Sequence, residues 1–109
     1  MSLAWMYLVI AGLFEILFTI ALKYSDGFSK LIPSIITCIL IFSSYFFVSL
    51  AMKTIPIGTA YAVWAGIGAA GAVLCGILFF GDSYDLIRLL SISLIIIGIF
   101  GLKFSHVDA

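Results

Sequence analysis

The sequence predicts an all-α membrane protein with four transmembrane helices, and three observations lead to that prediction. Hydrophobic residues make up 65% of the 109 residues and charged residues only 9%, whereas a soluble domain is about half apolar and about a quarter charged. Nearly all of the charges lie between long apolar runs. These runs are continuous, unlike the alternating strands of a membrane barrel. We therefore expect a single four-helix transmembrane domain over residues 1–109.

Four segments are long enough to cross the hydrocarbon core of a bilayer, which takes about 20 apolar residues. The predicted spans are approximately residues 3–22, 32–52, 57–80 and 86–102. Turn-forming residues separate them, with Asp26-Gly27 in the first connection, Pro56 in the second and Gly81 in the third. A cleaved signal peptide is not expected, because a carboxylate interrupts the first apolar stretch and no basic residue precedes it.

The composition also argues against several classes of function. Five basic residues balance five acidic ones, so the chain lacks the basic surface that binds nucleic acid. His106 is the single histidine, and Cys38 and Cys75 lie in separate apolar runs, so neither a zinc site nor a disulfide framework is expected. An enzyme would need a nucleophile with a base, or a bound metal. We therefore expect no enzymatic activity, no metal and no cofactor.

The basic residues divide almost evenly between the two sides of the membrane. Lys53 and Lys103 fall on the side of the termini, and Lys23, Lys30 and Arg88 fall on the other. Orientation normally follows an excess of Lys and Arg on the cytoplasmic side, and two against three is almost no excess. Either the small difference fixes one orientation, or the chain inserts in both orientations and forms antiparallel dimers.

A dimer is also favoured by the size of the chain. Four helices of this length leave little room for a solvated cavity, so we expect a transport pathway to form between two subunits. Gly98 and Gly101 in the fourth span are candidate packing sites, because small residues let helix backbones approach closely in lipid. The alternative is that these glycines reflect only the general frequency of glycine in membrane helices.

Glu15 is the most informative residue of the sequence. It lies about twelve residues into the first span, which is about 18 Å at 1.5 Å per residue and places it near the midplane. Intramembrane carboxyl groups are rare and face a protein interior or a wet cavity, and burial disfavours their charged form. A proton and a cation then compete for one group, which is the simplest route to antiport. The alternative is a permanently protonated side chain bonded to a neighbouring helix.

The residues expected around Glu15 come from three spans. Gly12, Phe18 and Thr19 lie one helical turn from it on the first span. On the third span, Tyr61 and Trp64 offer polar tips for a carboxylate and ring faces for a cation, although an interfacial aromatic belt is the alternative.

Two further features of the second and third spans bear on this site. Gly66 and Gly68 make the third span able to bend and to approach its neighbours. Ser44 lies near the middle of the second span, where its hydroxyl could orient a carboxylate. A hydrogen bond from Ser44 to its own helix backbone is equally compatible with the sequence.

Three stretches match a known pattern: AGLFE at residues 11–15, LKYSDGF at 22–28 and PIGTAYAVWAGIG at 56–68. With four spans in 109 residues, they resemble the small multidrug resistance family over essentially the whole chain. The resemblance implies a multi-pass protein of the inner membrane, an antiparallel dual-topology homodimer that exports small organic cations in exchange for protons. It also implies that a pair of Glu15 side chains binds proton and substrate, surrounded by Ser44, Tyr61 and Trp64, with Gly66 and Gly68 as a hinge.

Within the family, the stretch GIFGLK at residues 98–103 and the third span resemble the guanidinium exporters. Phe18 and Thr19 stand where those proteins usually have Trp and a small residue, and Ala65 stands where Thr is common. Thr19 and the stretch FFG at 79–81 look more like exporters of quaternary ammonium and other hydrophobic cations. That specificity, a heterodimer with a paralogue, and a structural or accessory membrane subunit are the alternatives.

Overall fold

The computed structural model describes residues 3–105, which form four helices joined by short connections. The helices are α1 (Leu3–Tyr24), α2 (Leu31–Ala51), α3 (Ile57–Phe79) and α4 (Leu86–Ser105). Each is long and apolar enough to cross a membrane, which confirms the predicted all-α membrane class. α1 and α4 continue past the ends of the predicted spans, to Tyr24 and Ser105. His106 lies outside the described residues.

The connection between α1 and α2 is a tight turn built from left-handed backbone. Asp26, Gly27 and Phe28 have φ values of 51°, 71° and 64°, a region that glycine and aspartate adopt more readily than most residues. The buried Ser25 holds this turn, because its hydroxyl donates to the Leu22 carbonyl at 2.6 Å and accepts from the Phe28 N–H at 3.1 Å.

The end of α3 turns the chain back over its own last turn. Gly81 has a φ of 70°, and the N–H of Asp82 donates to the Gly76 carbonyl at 3.0 Å. The Gly76 carbonyl also accepts a hydrogen bond from the Phe80 N–H at 3.1 Å, and a left-handed glycine just past the end of a helix commonly reverses the chain in this way. As a result, Asp82 returns to lie against α3.

α4 begins with a side-chain cap. Asp85 Oδ1 accepts a hydrogen bond from the backbone N–H of Arg88 at 3.0 Å, and Oδ2 accepts one from the Ser83 hydroxyl at 3.1 Å. Such a cap satisfies one of the N–H groups left free at a helix start. These bonds, the Arg88 N–H first, hold the pKa of the Asp85 carboxyl below its ordinary value.

α1 lies at the centre of the packing and contacts both α2 and α3. The buried core joins these three helices and consists of Trp5, Leu8, Ala11, Val48, Ala51, Ile55, Ala60, Val63 and Trp64. α4 packs against α3 through the face that carries Ile92, Ile95 and Ile99. Ile92 is the one buried residue of α4, so most of this apolar helix is left for lipid or another subunit.

An apolar groove of about 480 Å³ lies between α1, α3 and α4. At one end of it, the Lys103 ammonium lies 5.0 Å from the centre of the Trp5 ring. This cation–π contact joins the last turn of α4 to the first turns of α1. α4 therefore packs directly on α3, and the groove lies between α4 and α1.

Candidate functional site

Glu15 lies near the middle of α1 and faces α3. Its side chain is partly buried, and its carboxyl group lies directly against the backbone of α3 at Gly68. A Cβ atom added at Gly68 would overlap the Glu15 carboxyl group. The absence of a side chain at Gly68 is therefore what admits the carboxyl group between the two helices.

One oxygen of this carboxyl group has no hydrogen-bond partner. Glu15 Oε1 is buried and unpaired among the residues that the structure describes. A charged group in this position costs several kcal/mol unless another group compensates it, and binding of a proton or a cation supplies that compensation. Thr19 does not, because its hydroxyl donates to the backbone carbonyl of Glu15 at 2.8 Å.

Ser44 and Trp64 form a buried hydrogen-bond chain beside the site. The Trp64 indole N–H donates to Ser44 Oγ at 2.9 Å, and the Ser44 hydroxyl donates to the backbone carbonyl of Ala11 at 2.8 Å. These two bonds tie α3, α2 and α1 together one turn before Glu15. The structure thus directs the Trp64 N–H to Ser44 and the Ser44 hydroxyl to the α1 backbone, and neither group to the Glu15 carboxyl group.

The aromatic side chains differ strongly in exposure. Trp64 is only 5% exposed and is therefore a core residue, not a member of an interfacial belt. Its ring contacts those of Tyr45 and Tyr61 at centroid distances of 5.1 and 5.7 Å. Tyr61 is 58% exposed and available to a partner or a ligand. Tyr45 was not expected at the site, although it follows Ser44 directly in the sequence.

A second ring contact, between α1 and α2, lies near the site and is not predicted from the sequence. The rings of Phe14 on α1 and Phe47 on α2 stack, with 5.8 Å between their centroids. Phe18, which was expected beside Glu15, is partly buried on α1. The signal for a stacked pair on two separate helices is weak in a sequence where nearly every position is apolar.

The glycines expected at the site have distinct surroundings. Gly12 is buried against Ile67, and a Cβ atom added at Gly12 would lie 2.6 Å from the Ile67 side chain. Gly66 faces Ile99 of α4, and a Cβ atom added at Gly66 would lie 3.1 Å from the Ile99 side chain. α3 is a continuous helix through Gly66 and Gly68. Gly98 and Gly101 have open space around them.

No group of three potential metal ligands occurs within residues 3–105. The polar groups near the membrane centre are instead one carboxyl group, the hydroxyls of serine and threonine, and an indole N–H. Together with four spanning helices, they define the chain as a multi-pass membrane protein with an isolated carboxyl site in mid-membrane.

Comparison with known proteins identifies the family. The profile of the Small Multidrug Resistance protein matches residues 3–95. The protein named guanidinium exporter in Yersinia pestis is 55% identical over 101 residues, covering 93% of this chain and 97% of its own. The guanidinium exporter of Salmonella typhimurium strain LT2 is 53% identical over 103 residues, covering 94% and 98%. The chain belongs to the small multidrug resistance family, a family of transporters and not of enzymes.

Proposed function

We propose that this protein exports guanidinium-type cations in exchange for protons, and that both compete for Glu15. The observation that carries the proposal is the buried and unpaired Glu15 Oε1 in the middle of a spanning helix. The names of the relatives from Yersinia and Salmonella supply the class of substrate. Because one carboxyl group cannot hold a proton and a cation together, binding of one requires release of the other.

The chemistry of guanidinium suits this site. The ion is planar and presents paired N–H donors, which match the two oxygens of a carboxylate. The exposed ring of Tyr61 supplies an aromatic face that can lie over a flat cation. Trp64 keeps Tyr61 in place through ring contact, while its own N–H remains bonded to Ser44. In this proposal, Ser44 and Trp64 line the pocket and position α1.

The assembly that we propose is an antiparallel homodimer of chains inserted in both orientations. Three features support it: the near balance of basic residues on the two sides, the exposed apolar surface of α4, and the open space at Gly98 and Gly101. Two Glu15 side chains would then share one substrate pathway. Bending of α3 near Gly66 and Gly68 would expose that pathway to each side in turn.

Transport by purified protein in liposomes tests the proposal. A pH gradient should drive guanidinium out of vesicles that contain the wild-type chain, and Glu15→Gln should abolish this movement because it cannot exchange a proton. Glu15→Asp should transport with a shifted pH dependence, since a shorter side chain changes the reach of the carboxyl group. Wild-type transport by a correctly assembled Gln variant would contradict the proposal.

A quaternary ammonium ion assayed beside guanidinium tests the other specificity within the family. Phe18 favours that alternative, because it lacks the indole N–H of the Trp usual in guanidinium exporters. A quaternary ammonium offers no donors and depends on aromatic faces and apolar space. We expect guanidinium to be the better substrate. Transport of the quaternary ammonium alone would contradict guanidinium as the substrate but would leave the antiport mechanism in place.

A further inference from the structure

A small cavity lies between the C-terminal halves of α1 and α3, beyond the Glu15 site. It has a volume of about 180 Å³. Its walls begin one helical turn past the site on each helix, because Thr19 follows Glu15 by four residues and Ala72 follows Gly68 by four. From there it extends to the end of both helices, where Lys23, Phe80 and Asp82 line it.

The lining of this cavity suits water. Four of its residues carry polar or ionisable groups, namely the hydroxyl of Thr19, the thiol of Cys75, the ammonium of Lys23 and the carboxylate of Asp82. A cavity needs about 10–15 Å³ and two or more polar partners to hold one water molecule, and this one exceeds both requirements. Water in it would reach within one helical turn of Glu15.

The Asp82 carboxylate is held at the outer end of the cavity by two glycines. Gly81 turns the chain so that the Asp82 N–H bonds to the Gly76 carbonyl. The Asp82 carboxylate then lies against Gly76, where an added Cβ would overlap it. The sequence Gly-Asp after α3 and the glycine in its last turns together direct this negative charge towards the cavity.

The aromatic ring beside Asp82 already contacts a cation. The Lys23 ammonium lies 5.2 Å from the centre of the Phe80 ring, a distance at which a ring face attracts a positive charge. A carboxylate and an aromatic ring face that attracts a cation, together at one place, are the two groups that recognise a planar guanidinium ion. The Lys23 ammonium therefore occupies a ring face that could also bind a cation from solution.

We propose that this cavity is an aqueous vestibule leading to Glu15, and that Asp82 and Phe80 bind the guanidinium-type cation at its mouth. The cation displaces the Lys23 ammonium from the Phe80 ring and then passes between Thr19 and Ala72 to Glu15. The inference rests on the proposed function for the identity of the cation. In an antiparallel dimer, the vestibules of the two subunits open on opposite sides of the membrane.

The role of Asp82 is tested by the concentration dependence of transport. Asp82→Asn keeps the size of the side chain and removes its charge, so we expect a KM for guanidinium raised about three- to tenfold with a nearly unchanged maximal rate. Asp26→Asn is the matched control. It removes the same charge from the other loop on the same side of the membrane, and Asp26 does not line the cavity. The backbone of Asp26 is left-handed, a conformation that asparagine tolerates. Equal KM values for the two variants would overturn the role of Asp82.

The vestibule itself is tested without transport, through the two native cysteines. Cys75 lines the cavity, whereas Cys38 is exposed on α2. In a Cys38→Ala chain, a small water-soluble cationic thiol reagent should modify Cys75, and guanidinium should slow the reaction. In a Cys75→Ala chain, guanidinium should not change the rate at Cys38.

The results separate the vestibule from the function on which it rests. An unreactive Cys75 in a folded protein would overturn the vestibule, whatever the protein transports. Modified Cys75 in a protein that carries no guanidinium would support the vestibule and contradict the proposed function. Protection of both cysteines to the same extent would show a general effect of guanidinium and would overturn binding in this cavity.

Discussion

Ser44 and Trp64 connect the three inner helices through groups that have no access to water. The Ser44 hydroxyl accepts a hydrogen bond from Trp64 and donates one to the Ala11 carbonyl, and it is completely buried. Ala11 lies one turn before Glu15 on α1. The hydrogen bonds that join α1, α2 and α3 one turn from Glu15 therefore run through a serine that makes no hydrogen bond with the Glu15 carboxyl group.

The stabilising effect of this serine can be measured directly. Ser44→Ala leaves the Trp64 N–H buried without a partner, and such a group costs about 1–3 kcal/mol. We expect a clearly lower midpoint of thermal unfolding in detergent. Ser43→Ala is the matched control, since the Ser43 hydroxyl bonds only to the Ile39 carbonyl of its own helix and its loss should change the midpoint little. Equal effects of the two substitutions would show that the buried chain is not stabilising.

α4 differs from the other helices because its contacts within the chain come from one narrow face. Ile92, Ile95 and Ile99 face α3, whereas Leu94 and Ile97 are exposed, and Gly98 is surrounded by open space. In lipid, exposed apolar residues do not drive association, and close packing through small residues does. The position of the glycines on the outer face is what makes α4 the helix proposed for dimer contact.

Larger side chains on this face should separate the subunits without unfolding them. Gly98→Leu combined with Gly101→Leu places bulk where the chain itself has open space, so the helix content should stay unchanged while the dimer dissociates. Cross-linking in membranes and light scattering in detergent measure this. Cys38→Leu adds bulk at an exposed position of α2 and serves as the control. A dimer that survives the double substitution would exclude α4 as the contact.

The distribution of charge over the molecule bears on its orientation in the membrane. The two sides differ by a single basic residue, and orientation depends on the Lys and Arg residues close to the ends of the spans. α4 ends with Phe104 and Ser105, both exposed and near Lys103. Extra positive charge at this end should therefore shift the population of orientations.

We expect Phe104→Lys combined with Ser105→Lys to bias insertion towards a cytoplasmic C-terminal end. Ser29→Cys is introduced into a chain whose Cys38 and Cys75 have been replaced. Labelling of this single cysteine from one or the other side of the membrane reports the orientation. The parent chain should be labelled from both sides, and the Lys variant mainly from one, with loss of transport when expressed alone. Gln at the same two positions is the control. Labelling of the parent from one side only would contradict insertion in both orientations.

Much of the architecture is apparent from local sequence properties. Long uncharged runs predict spanning helices because lipid requires every backbone group to bond within its own segment, so length and apolarity determine these elements without reference to partners. The same reasoning singles out Glu15, since a carboxyl group in the middle of a spanning segment is costly to bury and therefore rare, and this can be seen from its position in the sequence. The family resemblance likewise rests on contiguous stretches of sequence.

Contacts between the helices cannot be predicted from the sequence in the same way. Because these helices are apolar on all sides, the hydrophobic pattern does not indicate which face of a helix packs against which neighbour. The sequence predicts that the Ser44 hydroxyl orients the carboxyl group or bonds to its own helix, yet packing brings this hydroxyl to the Ala11 carbonyl of α1. The sequence predicts Gly68 as part of a hinge, which stays a prediction; the structure shows a different feature of Gly68, which is that Glu15 meets α3 there. The position of Asp82 over Gly76 likewise arises only when the chain folds back at Gly81, because the two groups are brought together by backbone geometry at the helix end.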